Sequence, residues 1–365
     1  MAASGGRRTF VLAPALCLTA LLVACSSGQS DETFVASLTV PATTATTATA
    51  APAATIQPGT ARWSSTIVSS PDGSLVYVAN PDSGSVTAVA ADGERVLWEV
   101  AVGRDPTTLA LDPPGSRLFV AVAGDNRVVV LDAGTGERLA DVETNRQPRG
   151  VLVSSDGGTL VVSAKAGNTV DLFDAATLGP QGSIEVGADP WGLATPADGS
   201  VIYVTHLMTG ELSVVDLATG AVEAVITTGL ENNASRHVAL HPDGRRAFLP
   251  LIRSRTSNPD LDFETTIMPR VPVVDLEKER VITRELLGLD AVDQPVNMPS
   301  AVAFSPNGST AYVVNAGSND ISVIDLDLGF GVGHIDVGTN PRGMVMSADG
   351  STAYVHNALS GDLSV

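Results

Sequence analysis

An all-β chain built as a ring of seven four-stranded units is the fold this sequence predicts. Three observations carry the prediction: a tight-turn mark that recurs seven times, short β-rich runs in a fixed order between the marks, and a composition rich in turn residues. The chain has 365 residues, 44% of them hydrophobic, which is ample for a large core. Its 35 glycines and 22 prolines follow no collagen-like period and suit many short strands joined by turns.

The marks are the glycines of Asp-Gly-type turns at Gly73, Gly115, Gly157, Gly199, Gly244, Gly308 and Gly350. Their spacings of 42, 42, 42, 45, 64 and 42 match one four-stranded blade per repeat. Seven marks therefore predict a seven-bladed β-propeller over residues 61–365. The repeat around Gly157 shows the order: Arg149-Gly-Val-Leu-Val-Ser154, the turn, Leu160-Val-Val-Ser163, Thr169-Val-Asp-Leu-Phe-Asp174 and Gly182-Ser-Ile-Glu-Val186. Each run is short, β-rich and bounded by Asp, Gly, Asn or Pro, as strands A to D of a blade require. The last repeat stops inside its third strand at Asp362-Leu-Ser-Val365. An open ring exposes strand edges, so either Phe34 to Val40 returns to complete blade seven or the chain is a fragment.

Tyr77-Val-Ala-Asn80, Tyr203-Val-Thr-His206 and Tyr312-Val-Val-Asn315, with the Ser-Pro-Asp-Gly turns before them, resemble the YVTN repeat family. The resemblance covers residues 61–365 and implies a seven-bladed propeller. It implies less about activity, because such propellers serve as binding modules, as lactonase-like enzymes and as parts of redox enzymes. The stretch from Val296-Asn-Met-Pro299 to Phe304-Ser-Pro306, and Tyr354-Val-His-Asn357, also look like the propeller part of exported proteins that end in cytochrome c peroxidase-like domains. In that class haem motifs follow the propeller. No Cys-x-x-Cys-His occurs here, so a haem cofactor belongs only to a C-terminal region beyond this chain.

The N-terminus reads as an export signal. Arg7-Arg8 precede an apolar run to Ala24, too short and wrongly flanked for a transmembrane helix. Leu22-Val23-Ala24-Cys25 resembles the bacterial lipobox, which predicts a signal peptide over residues 1–24 and a lipid on Cys25. Arg7-Arg8-Thr9-Phe10-Val11 is also a loose match to a twin-arginine signal, and a plain basic leader is the preferred reading. Cys17 lies within the signal, so the mature chain forms no internal disulfide. Residues 25–60 are dominated by Ser, Thr, Ala and Pro and read as a flexible tether. The expectation is a protein lipid-anchored to the cell envelope on its periplasmic or extracellular side.

The formal charge is −19, so phosphate backbones are repelled and nucleic acid is an unsuitable partner. Contact with the membrane comes through the lipid alone. No Gly-x-Ser-x-Gly elbow, phosphate loop or zinc-protease motif occurs, and no catalytic residue is assigned. The acids Asp260, Asp262 and Glu264 lack calcium-loop spacing. His206, His237 and His356 fall near one face without a paired metal motif, whereas His241 occupies the serine slot of its turn and reads as structural. The aspartates ending strand C, at 132, 174, 216, 275 and 325, read as turn caps.

Strands A and B form a hairpin around each marked turn, so the start of A and the end of B meet at the opposite, top face. Symmetric counting pairs Ser65 with Asn80, Thr107 with Val122, Arg149 with Ala164, and Trp191 with His206. It also pairs Arg236 with Leu251, Ser300 with Asn315, and Arg342 with Asn357. The candidate ligand-binding ring is therefore Arg149, Trp191, His206, Arg236, His237, Arg342 and Asn357. Three guanidiniums near an indole favour an anionic group such as a carboxylate, a phosphate or a porphyrin propionate. Arginines in Pro-x-Gly turns are also often merely solvated, and both readings stay open.

Loop lengths single out the same face. The turn glycine to the Asp ending strand C is 17 residues in most repeats but 31 from Gly244 to Asp275. From that Asp to the next turn glycine is usually 25, but 28 after Asp216 and 33 after Asp275. The extra length gathers on the top face around blades four to six, where loops on a regular scaffold carry function. These features predict a tethered binding or scaffold module for a protein partner or anionic ligand. The alternatives are the propeller part of a redox protein and, less directly, a lactonase-like hydrolase.

Overall fold

A computed structural model describes residues 9–11, 61–93, 95–255, 267–285, 287–289 and 295–365. Cys17, Cys25, the Phe34 to Val40 stretch and the acids between 260 and 264 lie outside these residues. Seven antiparallel blades surround a central channel, and their inner A strands are Ile67–Ser69, Pro106–Leu111, Pro148–Val153, Pro190–Thr195, Ala239–Leu240, Pro299–Phe304 and Pro341–Met346. The predicted propeller of seven blades is the observed fold.

The marked turns form for a local reason that the sequence displays. In blade three, Ser154 Oγ donates to Asp156 Oδ1 at 2.5 Å and accepts from Thr159 N at 2.9 Å, while Gly157 takes φ +78°. The serine and aspartate thus tie the hairpin across a left-handed position that glycine enters without strain. His241 replaces the serine in blade five, where Nδ1 accepts from Asp243 N at 3.1 Å and Nε2 reaches Gly308 O at 2.8 Å. That histidine is structural, as its slot predicted.

Strands B and C alternate apolar side chains between two neighbours, so each blade is buried on both faces. Seven apolar clusters result, one in each seam; that between blades one and two includes Tyr77, Leu109 and Leu118, and that between seven and one includes Ile67, Val78 and Tyr354. Each fully buried Val or Leu contributes roughly 1.5–3 kcal/mol, which lets packing alone hold the ring.

Each seam is also tied by a hydrogen bond close to the channel. Going round, the ties are Leu109 N to Ser65 O at 2.7 Å, Thr108 Oγ1 to Arg149 O at 2.8 Å, and Ser163 Oγ to Trp191 O at 2.5 Å. They continue with Thr205 Oγ1 to Ser235 O at 3.2 Å, Val302 N to His237 Nδ1 at 3.4 Å, and Ser300 Oγ to Pro341 O at 3.1 Å. Thr66 Oγ1 and His356 Nδ1, 3.2 Å apart, close the ring between blades seven and one.

Two arrangements were not anticipated. Arg62–Trp63 rises inside the channel as a fifth strand on blade four, pairing antiparallel with Thr195 and Ala194. Ser64 N then donates to Leu193 O at 2.8 Å, and the Arg62 guanidinium reaches across to Leu111 O of blade two at 3.0 Å. The chain turns over at Ser65 and Thr66 before descending as strand A of blade one, so its own backbone fills the lower channel. Second, the outer strand of blade seven is Thr9–Val11, paired antiparallel with Asp362–Ser364. It takes the position foreseen for Phe34 to Val40 and comes from the segment read as the export signal.

Blade five absorbs all the extra loop length. Its B–C hairpin keeps one register from Phe248↔Val273 to Leu251↔Arg270, interrupted where Pro250 and Pro272 lack an N–H. Above the prolines, Leu251–Ser254 and Ile267–Val271 are flanked by Asn232–Asn233 and Leu287–Gly288. The three lengthened connections thus zip into one accessory four-stranded sheet on the top face, adjoining Arg236.

Glycine after Trp191 is imposed by the next blade, because an added Cβ meets Arg236 O at 2.7 Å and His237 Cα at 3.0 Å. Gly192→Ala is expected to cost about 1–3 kcal/mol, read as a lower urea midpoint at constant slope. Gly333→Ala, where an added Cβ meets nothing within 4 Å, leaves the midpoint in place. A second prediction concerns pH. Burial brings His237 and His356 from the ordinary 6.5 down to about 4, the Arg342 charge adding to the effect at His356. Between pH 6.5 and 4 the unfolded chain binds protons that the folded chain refuses, so stability falls as pH drops through this window. Each histidine contributes on the order of 3 kcal/mol to that fall, and His237→Gln with His356→Gln flattens the profile of unfolding midpoint against pH.

Candidate functional site

The top of the channel is shaped by a mismatch that recurs at the start of strand A. In blade three Pro148 pairs with Ala164 but Gly150 already pairs with Ser163, so Arg149 is an extra residue with no partner. The same happens to Ser300 between Pro299↔Asn315 and Ala301↔Val314, and to Arg342 between Pro341↔Asn357 and Gly343↔His356. In blades two and four, Thr107–Thr108 oppose Ala121 alone and Trp191–Gly192 oppose Thr205 alone. Such a bulge re-aims the extra side chain, here away from the seams and into the channel.

All seven predicted starts of strand A, Ser65, Thr107, Arg149, Trp191, Arg236, Ser300 and Arg342, consequently line one cavity of about 320 Å³. Ser64, Ser65 and Thr66 of the channel strand form its floor, and Pro81, Asp82, Asp105, Asn340, Ala358 and Leu359 its rim. With the channel strand lying across the lower channel, the site is a cup that opens at the top. A larger groove of about 720 Å³ runs along the bottom of blade five. Its charged walls include the ion pairs Arg246–Asp243 and Lys278–Asp275, each at 2.8 Å, and it lies at the end of the ring opposite the cup.

Trp191 is the centre of the cup's cationic side. The Arg149 guanidinium carbon lies 4.7 Å from its ring centroid and that of Arg236 5.6 Å, with Lys165 Nζ at 6.0 Å. Cation–π attraction therefore holds like charges close together. Arg149 is anchored by Asp105 at 2.9 Å, and its Nε is buried with no hydrogen-bond partner. Arg342 Nε donates to the neutral Asn340 Oδ1 at 2.6 Å. Among the described residues Arg236 has neither a carboxylate nor a hydrogen-bond partner. Burial, then the charges of Arg342 and Arg149, lower its pKa, and burial lowers that of Arg342 against the opposing pull of Asp82. Both remain cations, since a guanidinium does not deprotonate in a protein.

Of the candidate ring, Arg149, Trp191, Arg236, His237 and Arg342 meet in the cup, whereas His206 and Asn357 do not. His206 is buried, with Nδ1 at 2.9 Å from Ala188 O and Nε2 at 2.8 Å from Ser213 Oγ. Asn357 is buried as well and donates to Asp362 Oδ1 at 2.8 Å and Ser364 Oγ at 2.9 Å. Symmetric counting placed both opposite the cup residues. The bulge shifts the pairing by one, so their partners are Pro190 and Pro341 and their side chains bind strand C. His237 keeps its place in the cup as a neutral ring bonded to Val302 N.

Sequence reading missed Asp82, Asp105, Asn340 and the floor residues Ser64 and Thr66. Asp105 and Asn340 carried a usable signal: each precedes the proline of strand A and takes left-handed φ, +54° and +57°, which Asp and Asn tolerate best. The turn caps were read correctly, as in Thr135 N donating to Asp132 Oδ1 at 2.8 Å. Among the described residues no group of three or more His, Cys, Asp or Glu side chains stands close enough to hold a metal ion.

No protein-family model matches the chain, and a search of curated protein sequences finds no match. Among solved structures it is similar to the hydrazine synthase of Kuenenia stuttgartiensis, with a TM-score of 0.74 and 24% identity over 86% of this chain and 97% of that one. At that identity the likeness extends to the β-propeller fold.

Proposed function

We propose that this chain is a non-catalytic binding module, held by a lipid on Cys25 at the outer side of a cell membrane, whose top cup captures the anionic group of a ligand or partner. The observation that carries the reading is the cluster of Arg149, Arg236 and Arg342 in one cup, the first two over the Trp191 ring, with Arg236 lacking an acidic partner among the described residues. A protein of formal charge −19 repels anions at long range, so concentrating three guanidiniums in one partly desolvated cup serves local recognition. The cup's volume sits at the low end of small-molecule sites, roughly 300–1,000 Å³. It suits a small acid or one acidic group of a larger partner better than a porphyrin.

The accessory sheet on blade five supports the same face, because it gathers three lengthened connections next to Arg236. Support for the anchor is the lipobox-like Leu22-Val23-Ala24-Cys25 and the Ser/Thr/Ala/Pro-rich stretch that follows. Cleavage before Cys25 removes Thr9–Val11 and frees the outer position beside Asp362–Ser364 in the mature protein.

Two outcomes are expected. Calorimetric titration of the full chain with benzoate, succinate and inorganic phosphate detects one site for at least one anion, and combined Arg149→Ala, Arg236→Ala and Arg342→Ala weakens it tenfold or more. Equal binding by wild type and variant refutes the cup. Labelled palmitate is incorporated by the expressed chain and lost in Cys25→Ser; incorporation that survives the substitution refutes the anchor.

A further inference from the structure

We infer that the cup selects a singly charged carboxylate on a short apolar body, with the carboxylate held by Arg236 and Arg342. The inference rests on reading the cup as an anion site and adds the class of ligand.

The charge count sets the valence. The lining holds three guanidiniums, Arg149, Arg236 and Arg342, and two carboxylates, Asp82 and Asp105. His237 is neutral at pH 7, so the lining has one uncompensated positive charge. One negative charge neutralises it. A phosphate monoester, at about −1.5 to −2 near pH 7, leaves net negative charge beside Asp82 and Asp105 in a partly desolvated site.

The arginines differ in availability. Arg149 already meets Asp105 at 2.9 Å and lies on the Trp191 ring, so it forms a fixed wall. Arg342 is oriented by a neutral amide, and Arg236 has no acceptor among the described residues. Planar guanidiniums present paired donors that match the two oxygens of a carboxylate. The indole is occupied by Arg149 and Arg236, which leaves Pro81, Ala358 and Leu359 on the rim as the surface for an apolar body. A cavity of about 320 Å³ holds roughly ten waters at about 30 Å³ each. That is room for a body of about ten non-hydrogen atoms. The carboxylate can come from a free acid or from the C-terminus of a peptide.

The test titrates the full chain with 3-phenylpropionate, its amide, succinate and inorganic phosphate, and with N-acetyl-phenylalanine peptides ending in a free acid or an amide. Expected is one site for 3-phenylpropionate, at least tenfold tighter than for its amide, for succinate or for phosphate. Arg236→Gln and Arg342→Gln each weaken it about tenfold, Arg149→Gln less, with unfolding midpoints recorded as the control for folding. Binding of free-acid peptides above 3-phenylpropionate assigns the carboxylate to a polypeptide end, and the reverse order assigns it to a free acid. Tighter binding of phosphate or succinate that still needs the arginines overturns the single-charge class and leaves anion capture standing. Equal binding of acid and amide overturns the carboxylate. No binding of any anion overturns the cup as a site.

Discussion

At its upper end each of five inner strands carries one residue more than its neighbour can pair, and the rest of the site follows from that surplus. The residue after the proline has no place in the ladder, so its side chain turns into the channel: Thr107, Arg149, Trp191, Ser300 and Arg342. In blades three and four its carbonyl becomes the acceptor for the neighbouring blade, Arg149 O for Thr108 and Trp191 O for Ser163. The same local distortion thus builds the cup and ties its wall. Glycine follows in three blades because the next blade presses against that position, with its backbone at Gly150 and Gly192 and with the Thr66 and Ile67 side chains at Gly343.

Sevenfold repetition makes a scaffold, and departures from it make a site. The channel strand at Arg62–Trp63 lies in the lower channel and links blades two and four, which gives the cup a polar floor at Ser64, Ser65 and Thr66. Blade five departs most, since its prolines break the ladder and its tall hairpin gathers two other loops into the accessory sheet. Both departures bear on the same end of the ring. Arg149, Trp191 and Arg236 stand on blades three to five, and Arg342 with Asp82 and the apolar Pro81, Ala358 and Leu359 on blades seven and one, so the cup is chemically directional although its frame is nearly symmetric.

Much of the fold was legible because it is local. A Ser-x-Asp-Gly hairpin closes through bonds within six residues, and alternating apolar strands must be buried on two faces wherever they lie. Five of the seven candidate residues were legible for a related reason: each opens an inner strand. His206 and Asn357 were misplaced because counting outward from a turn assumes an unbroken ladder, and one bulge reverses which side chains face the channel. Asp82 and Asp105 were missed because the loops that carry them reach the cup only once the ring has closed.

By itself the sequence determined the number of blades, the turns that space them and the seven positions that open the inner strands, all of which depend on contacts within one repeat. Tertiary structure alone decided which of those side chains share a cavity, that Asp105 restrains Arg149 while Arg236 keeps an unmatched charge, and that the chain's own backbone closes the cup from below. Those outcomes depend on contacts between residues tens to hundreds of positions apart, such as Arg149 with Asp105 and Ser64 with Leu193, whose separation leaves no periodic trace in the sequence.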